Sequence, residues 1–239
     1  MVHFQILTVY PEMFSSFLSQ GLLQKAIEKK KLAVDLINFR DFGLGKHAKV
    51  DAPPFGGGAG MVIRPEPIDA ALDYCAEKVA TNSIKRILIS PQGEPFTQSK
   101  AVELSQSDQS LVLICGRFEG FDERIRSFVD EEISLGDFIM MGGEVAAMAV
   151  IESVGRLVPG VLGNNESIES ESFSQGLLEY SQYTRPVTYK NLGIPDVLRS
   201  GNHKEIEAWR YNSALEKTKR KRPDLFDRYT LSNKSETKS

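Results

Sequence analysis

The sequence predicts an α/β protein built around a parallel sheet. Short apolar runs alternate with stretches whose apolar residues recur at helical spacing, the order expected when strands and helices follow one another. Residues 111–115 are uninterrupted and apolar, as in a strand that is buried on both faces. Glycines follow this run and two more apolar runs, at residues 133–135 and 138–141. Because loops at the carboxyl ends of parallel strands bind ligands in open α/β sheets, we expect one pocket lined mostly by main chain.

The remaining elements of the sheet region follow from local patterns. Strands are predicted at residues 2–9, 32–37 and 86–90, and the last of these ends in Ser90-Pro91-Gln92-Gly93, another glycine-bearing exit. Pro11 begins a helical stretch, since proline is tolerated in a first turn. Residues 38–60 lack periodicity and are predicted to form a long loop. Further helices are predicted at residues 65–79, 97–105 (with Thr97 as N-cap), 121–129 and 143–158, the last apolar nearly all round and therefore buried.

The composition changes after Pro159. Residues 163–176 are rich in Asn, Ser, Glu and Gly, which is typical of a linker or a mobile loop. Residues 177–229 are predicted to be helical and polar, with an apolar side made of Ile206, Ala208, Trp209, Tyr211 and Leu215. This part is too small to bury its own apolar face, so we expect it to pack on a partner surface.

Composition and charge exclude several classes of protein. The chain has 239 residues, 41% of them hydrophobic, which is enough for a core of one large domain or of one domain plus a small one. No apolar run reaches the roughly 20 residues needed to span a bilayer. The first residues do not resemble a signal peptide, and the isolated Cys75 and Cys115 are expected to be buried free thiols, so a cytoplasmic location is predicted. The three histidines are scattered, so no zinc site is predicted.

A basic run near the C-terminus has two interpretations. The net charge of −3 argues against a generally basic nucleic-acid-binding surface, although a local patch is compatible with it. Lys217, Lys219 and Arg220 belong to a run of basic residues between positions 217 and 222. Cations favour helix C-termini, so the run is either a solvated helix end or a phosphate-binding patch.

The glycine-rich run at residues 56–60 does not belong to a nucleotide phosphate loop. A P-loop ends in Gly-Lys-Ser or Gly-Lys-Thr, whereas Met61 and Val62 follow Gly60 here. The helix that a dinucleotide fingerprint requires is missing as well. Gly57 and Gly58 are therefore interpreted as part of a flexible loop that lets the backbone approach a substrate.

Residues 116–124 place carboxylates at a strand exit. Glu119 and Asp122 suit an adenosine ligand or the balancing of a bound cation. They equally suit a structural role at the N-terminus of the next helix, where acidic side chains are favourable. The pattern alone leaves both interpretations open.

Taken together, the motifs resemble those of the TrmD-type bacterial tRNA (guanine-N1)-methyltransferases, members of the trefoil-knotted SPOUT class. The resemblance covers nearly the whole chain, and each motif alone is weak, whereas their order and gaps are highly specific. The matching segments are PEMF, GGGAGM, SPQG, CGRFEGFDER, DEE-SLGDF, GGE, PGVLG, ESFSQGLL, YTRP and LRSGNH-EI--WR.

The resemblance implies a knotted catalytic domain at residues 1–162, a flexible linker at 163–176 and a helical tRNA-binding domain at 177–239. It also implies that S-adenosylmethionine is bound in a bent shape by three loops of the knot. The residues implied to contact this cofactor are Ser90, Pro91, Gln92, Gly116, Glu119, Leu135, Gly136, Asp137, Phe138, Ile139, Met140, Gly142 and Gly143.

The resemblance further implies the reaction and its catalytic residues. The target is N1 of the guanosine immediately 3′ of the anticodon in tRNA, at position 37. Glu171 falls at the position of the general base and Arg156 at that of the group that stabilises O6. Family members commonly carry aspartate where Glu171 stands and tyrosine where Phe118 stands.

The resemblance also implies partners for the protein, and other functions remain as alternatives. The resemblance implies a homodimer whose active site lies at the subunit interface, a dependence on Mg²⁺, and substrate contacts by Gly57, Gly58, Lys217, Lys219 and Arg220. No ligands for the magnesium ion stand out. The alternatives are a knotted methyltransferase acting on ribosomal RNA or another tRNA base, a non-catalytic RNA-binding protein with this fold, and a nucleotide-phosphate enzyme that uses the glycine run.

Overall fold

A five-stranded parallel sheet forms the centre of the first part of the chain. The computed structural model describes residues 1–79, 83–163 and 170–236, and the chain divides into two compact units, Met1–Gly163 and Asn164–Ser239. The strands of the first unit are β1 (Val2–Thr8), β2 (Leu32–Asn38), β3 (Asp51–Ala52), β4 (Val62–Ile63), β5 (Ile84–Pro95), β6 (Ser110–Cys115) and β7 (Glu131–Ser134). The sheet has the order β2-β1-β6-β5-β7, and β3 and β4 form a separate antiparallel pair.

Alternating residues of the central strands feed two hydrophobic cores, one on each face of the sheet. Along β6, Leu111 and Leu113 belong to one core, whereas Val112 and Ile114 belong to the other. Every residue of β6 is buried, as the uninterrupted apolar run predicts. The sheet therefore lies between two helical layers, and the predicted α/β fold with a parallel sheet is confirmed.

The helices cover the sheet unequally. The first unit contains α1 (Ser15–Leu18), α2 (Gly21–Glu28), α3 (Pro65–Glu77), α4 (Gln98–Ser105) and α5 (Glu144–Gly155). Buried residues of α2, α4 and α5 belong to one core, and those of α3 belong to the other. Thr97 caps α4 as predicted, because its hydroxyl accepts a hydrogen bond from the Lys100 N–H. Short 3₁₀ helices are present at Pro11–Phe14, Phe39–Phe42 and Glu123–Phe128.

The predictions for residues 38–60, 121–129 and 86–90 differ from the structure. The predicted loop at 38–60 contains a 3₁₀ helix and β3, and the helix predicted at 121–129 is a 3₁₀ helix. Strand β5 does not end at Ser90: its pairing with β7 shifts between Ile89 and Glu94 and then resumes. Since Pro91 lacks an N–H to donate to the ladder, the SPQG segment forms an irregularity within the strand instead of its exit.

The apolar run at residues 138–141 is not a strand. It follows β7 but pairs with no neighbour in the sheet, and its side chains are largely solvent-exposed: Phe138 is 54%, Ile139 83% and Met141 90% exposed. A short apolar run is ambiguous from sequence because the same composition serves a buried strand and an apolar loop.

In the second unit, the described residues 170–236 form a small hairpin and two α-helices. The hairpin pairs β8 (Thr188–Tyr189) with β9 (Leu192–Gly193), a 3₁₀ helix lies at Asp196–Arg199, and α6 (His203–Lys221) and α7 (Pro223–Glu236) follow. The helical prediction for residues 177–229 is thus wrong for residues 177–202. Pro186, Pro195 and Gly201 in this stretch interrupt helical structure.

The buried side of α6 also differs from the prediction. Ala214 and Thr218 are its buried residues, whereas the predicted Ala208 and Tyr211 are exposed. The reason is that the segment after residue 176 lies along α6: Leu178 N–H donates to the Thr218 hydroxyl at 2.9 Å. A polar residue can therefore lie on the buried side, which a search for apolar periodicity cannot detect.

The predicted linker falls partly on residues 164–169, which lie outside the described residues, as do the last residues of the predicted C-terminal domain. Among the described helices, none combines the length and the apolar character needed to cross a membrane. The knot implied by the resemblance stays a prediction.

The two cysteines are buried free thiols, as predicted. Burial raises the pKa of Cys75 to about 12 and raises that of Cys115 well above its ordinary value. We expect neither thiol to react with Ellman's reagent in the native protein and both to react after unfolding in guanidinium chloride, because the thiolate is the reactive form. Rapid labelling of the native protein would contradict the burial of these side chains.

Candidate active site

A cavity of about 380 Å³ opens at the carboxyl edge of the sheet. Its walls come from the irregular segment of β5, the loop after β6 and the long loop between β7 and α5. This is the edge at which open α/β sheets bind ligands. The glycine-bearing loops of the sequence thus meet in one cavity.

Nearly all residues expected to contact the cofactor line this cavity. They are Ser90, Pro91, Gln92, Gly116, Glu119, Leu135, Gly136, Phe138, Ile139, Met140, Gly142 and Gly143. Asp137 is the exception, since its side chain is exposed and it is not part of the lining.

The loop before α5 packs closely against the loop after β6 because it carries glycines. Gly143 N–H donates to the Gly116 carbonyl at 2.9 Å. A Cβ atom on Gly143 would lie 2.9 Å from the Cys115 Cα and 3.0 Å from the Gly116 nitrogen, so only glycine fits without a backbone shift. The two loops therefore form adjoining walls of the cavity.

Charged side chains of both signs also line the cavity, and no local sequence pattern marks most of them as site residues. Arg126 donates to the Gln92 side chain at 2.9 Å and forms an ion pair with Glu132 at 3.1 Å. Arg117 and Glu123 are two further charged lining residues. Arg117 belongs to the CGRFEGFDER motif, which could have marked it as a site residue. Arg126 lies outside that motif, and no local pattern indicates that it lines the cavity.

The two open interpretations of the acidic residues at 116–124 divide between them. Glu119 lines the cavity. Asp122 instead caps the 3₁₀ helix Glu123–Phe128, and its carboxylate accepts hydrogen bonds from the Arg124 N–H at 3.0 Å and from its guanidinium at 2.8 Å. The capping interpretation is therefore confirmed for Asp122, whereas the ligand-binding interpretation stays a prediction for Glu119.

The cap predicts a pH dependence of stability. Hydrogen bonds from Arg124 lower the pKa of Asp122 from 3.8 to about 2, so the folded state favours the ionised form. The stabilisation is present above about pH 4 and is lost as the pH falls toward 2. We expect the difference in unfolding free energy between the wild type and Asp122→Asn to shrink over that range in denaturant titrations. A constant difference would mean that the ionised carboxylate contributes nothing.

The glycine-rich loop is hydrogen-bonded to the cavity wall at its C-terminal end, where it continues into β4. Gly57 and Gly58 lie in the exposed connection between β3 and β4, at φ of 82° and 130°. At the end of this connection the Met61 carbonyl accepts from the Glu119 N–H at 2.9 Å. Ile63 N–H donates to the Gly120 carbonyl at 2.9 Å. The connection is therefore anchored to the segment that carries Glu119, although Gly57 and Gly58 do not line the cavity.

The two expected catalytic residues lie in different units of the chain. Arg156 follows the last turn of α5 and is partly buried. Glu171 begins a tight turn, in which its carbonyl accepts from the Ser174 hydroxyl at 2.7 Å and the Phe173 N–H donates to the Leu177 carbonyl at 2.8 Å. Neither residue is part of the cavity lining.

The expected phosphate contacts lie in the last turns of α6. Lys219 and Arg220 are exposed, whereas Lys217 is partly buried. Partial burial, reinforced by the positive charge of Lys221, lowers the pKa of Lys217. The basic run is thus a helix end with exposed cations, which is compatible with both interpretations of the sequence.

No cluster of three or more His, Cys, Asp or Glu side chains that could hold a metal ion is found in residues 1–79, 83–163 and 170–236. The dependence on Mg²⁺ stays a prediction from the resemblance.

Comparisons with known proteins identify the family. Residues 2–228 match the sequence model of the tRNA (Guanine-1)-methyltransferase TrmD family. Curated relatives described as tRNA (guanine-N(1)-)-methyltransferase, from Staphylococcus aureus strains JH9, Newman and JH1, are each 50% identical over 228 residues. These matches cover 95% of this chain and 91% of each relative. The chain belongs to the tRNA (guanine-1)-methyltransferase TrmD family.

Proposed function

We propose that this protein transfers a methyl group from S-adenosylmethionine to N1 of the guanosine immediately 3′ of the anticodon, at position 37 of tRNA. Membership of the family supports tRNA (guanine-N1) methyl transfer. The structural observation that carries the proposal is the convergence of the family's motifs at one cavity on the carboxyl edge of the sheet. The position in the tRNA rests on the resemblance.

The cavity fits the chemistry of S-adenosylmethionine. Its volume lies within the ~300–1,000 Å³ range of small-molecule sites. Ile133 and Leu135 provide apolar wall, Gly116 and Gly143 provide accessible main chain, and the carboxylate of Glu119 suits a positively charged ligand. When bound, S-adenosylmethionine supplies an electrophilic methyl group on a positively charged sulfur.

The protein must then remove the proton from N1 of the guanine. N1 of guanine carries a proton at neutral pH and is a poor nucleophile until that proton leaves. In the proposal, the Glu171 carboxylate accepts the N1 proton, and the guanidinium of Arg156 stabilises the negative charge that develops on O6. The ESFSQGLL motif supports the first role, since it places Glu171 where family members commonly carry aspartate. The added methylene leaves the carboxylate equally basic.

The proposal includes an assembly in which two subunits build the site. The first domain, 1–162, would bind the cofactor, and the linker, 163–176, and C-terminal domain, 177–239, of a second subunit would complete the site and hold the tRNA. The exposed Phe138, Ile139 and Met141, which line the cavity, support this, because exposed apolar side chains at a binding site favour coverage by a macromolecule. Exposed Lys219 and Arg220 would contact phosphates. The trefoil knot, the need for Mg²⁺ and a cytoplasmic location belong to the same proposal.

Two tRNA transcripts test the position of the methylated base. They differ only in carrying guanosine or adenosine immediately 3′ of the anticodon, and each is incubated with the protein and labelled S-adenosylmethionine. We expect label on the guanosine transcript alone. Equal label on both transcripts would place the target elsewhere in the RNA and overturn the assignment of position 37.

A further inference from the structure

A carboxylate with no solvent exposure lies behind the cavity. Glu144, in the first turn of α5, is 0% exposed. Its Oε1 accepts a hydrogen bond from the Thr8 hydroxyl at 2.8 Å, and its Oε2 lies 2.8 Å from the Arg117 Nε. Burying a charge is costly unless it is paired, and replacing a buried ion pair with apolar side chains is often neutral or stabilising. The carboxylate therefore has a role other than packing.

Arg117 connects Glu144 to two other segments of the first unit. It belongs to the cavity lining and to the loop after β6. Its Nη1 donates to the Met141 carbonyl at 3.3 Å, and its Nη2 lies 3.1 Å from the Met13 sulfur. Its guanidinium carbon lies 4.8 Å from the centre of the Tyr10 ring. One side chain thus contacts the loop before α5 and the segment after β1.

The loop before α5 is shaped around this arginine. A Cβ atom on Gly142 would lie 2.2 Å from the Arg117 Nε, so the main chain of the loop passes directly over the guanidinium. The next residue, Gly143, donates its N–H to the Gly116 carbonyl. The contacts of Arg117 and Gly143 therefore set the spacing between two loops that line the cavity.

We propose that Glu144 is a positioning residue that holds Arg117 in place and thereby fixes the shape of the methyl-donor site. Glu144 does not line the cavity and acts only through Arg117. The inference rests on the proposed function, since it assumes that S-adenosylmethionine binds between these loops. When the charge of Glu144 is removed, Arg117 loses its ion-pair partner and the loop before α5 loses its fixed support. Cofactor binding should suffer more than the transfer step, because Glu171 and Arg156 lie outside the cavity lining.

The test compares Glu144→Gln with Glu103→Gln, which makes the same change at an exposed ion pair on α4. The dissociation constant of S-adenosylmethionine is measured by calorimetry without tRNA, together with kcat, KM and the thermal midpoint. For Glu144→Gln we expect a dissociation constant raised at least about tenfold, with kcat at saturating cofactor changed by less than about threefold. The Glu103→Gln control should bind as the wild type does.

A double mutant separates positioning from a general loss of structure. If Glu144 acts through Arg117, then Arg117→Met should weaken binding, and adding Glu144→Gln should weaken it no further. If Glu144→Gln does not fold, Thr8→Val and its conservative counterpart Thr8→Ser are measured in its place, with binding weakened in the first and retained in the second. Unchanged binding in a folded variant, or additive effects in the double mutant, would overturn the inference. A wild-type protein that does not bind S-adenosylmethionine would instead overturn the proposed function.

Discussion

Replacing Glu171 with glutamine is expected to lower the single-turnover rate of methyl transfer by about two to four orders of magnitude. The glutamine amide occupies nearly the same space but cannot accept the N1 proton of guanine. The affinity for S-adenosylmethionine should stay at the wild-type value, because Glu171 is not part of the cavity lining. Rapid quench with excess enzyme measures the rate, and calorimetry measures the affinity.

The matched control is Glu171→Asp, which restores the residue that family members commonly carry. This variant keeps a carboxylate of similar basicity and should retain activity within about tenfold of the wild type. Near-normal turnover by Glu171→Gln would show that another group accepts the proton. Equal losses in both variants would indicate that the reaction depends on the length of the side chain as well as on its basicity.

Replacing Gly143 with alanine is expected to weaken cofactor binding at least about tenfold and to destabilise the protein by about 1–3 kcal/mol. The added Cβ would lie 2.9 Å from the Cys115 Cα and 3.0 Å from the Gly116 nitrogen. Both are backbone atoms, one in the last residue of the fully buried strand β6 and the other in the residue that follows it. Close packing around the strand prevents them from moving away from the added Cβ atom. The strain must be relieved by moving the loop before α5, which lines the cavity.

Calorimetric titration with S-adenosylmethionine and denaturant unfolding measure both effects. Gly163→Ala is the control, because a Cβ atom there meets no heavy atom of the described residues within 4 Å. This variant should bind and unfold as the wild type does. Wild-type affinity in Gly143→Ala would mean that the close contact between the two loops does not shape the binding site.

The strands were predictable because each leaves a local signal in the sequence: β6 has an uninterrupted apolar run, as burial on both faces requires, and in β2 apolar and polar residues alternate. Residues 111–115 and 32–37 match β6 and β2 within one residue at either end. Non-local pairing is less visible. The continuation of β5 beyond Ser90 depends on where β7 lies, and the unpaired run at 138–141 has the composition of a strand without a neighbour. Local patterns cannot contain this information.

The site was predictable to a similar extent and for similar reasons. Glycines after apolar runs predicted a main-chain cavity at the carboxyl edge of the sheet, and the structure has one there. The ion pair between Arg117 and Glu144 was not predictable, since buried charges meet only after the chain has folded. The proposed roles of Glu171 and Arg156 come from the motifs alone. Without its motif, Glu171 would be interpreted as a solvated acidic residue in a Ser-rich linker.

Identifying the methylated nucleoside tests methyl transfer to N1 of guanosine directly. Transfer RNA is methylated with labelled S-adenosylmethionine, digested to nucleosides and separated by liquid chromatography with mass detection. We expect all label to be recovered as 1-methylguanosine. Label in 2-methylguanosine, 7-methylguanosine or a methylated ribose would contradict it, as would the absence of label from a preparation that binds both the cofactor and the tRNA.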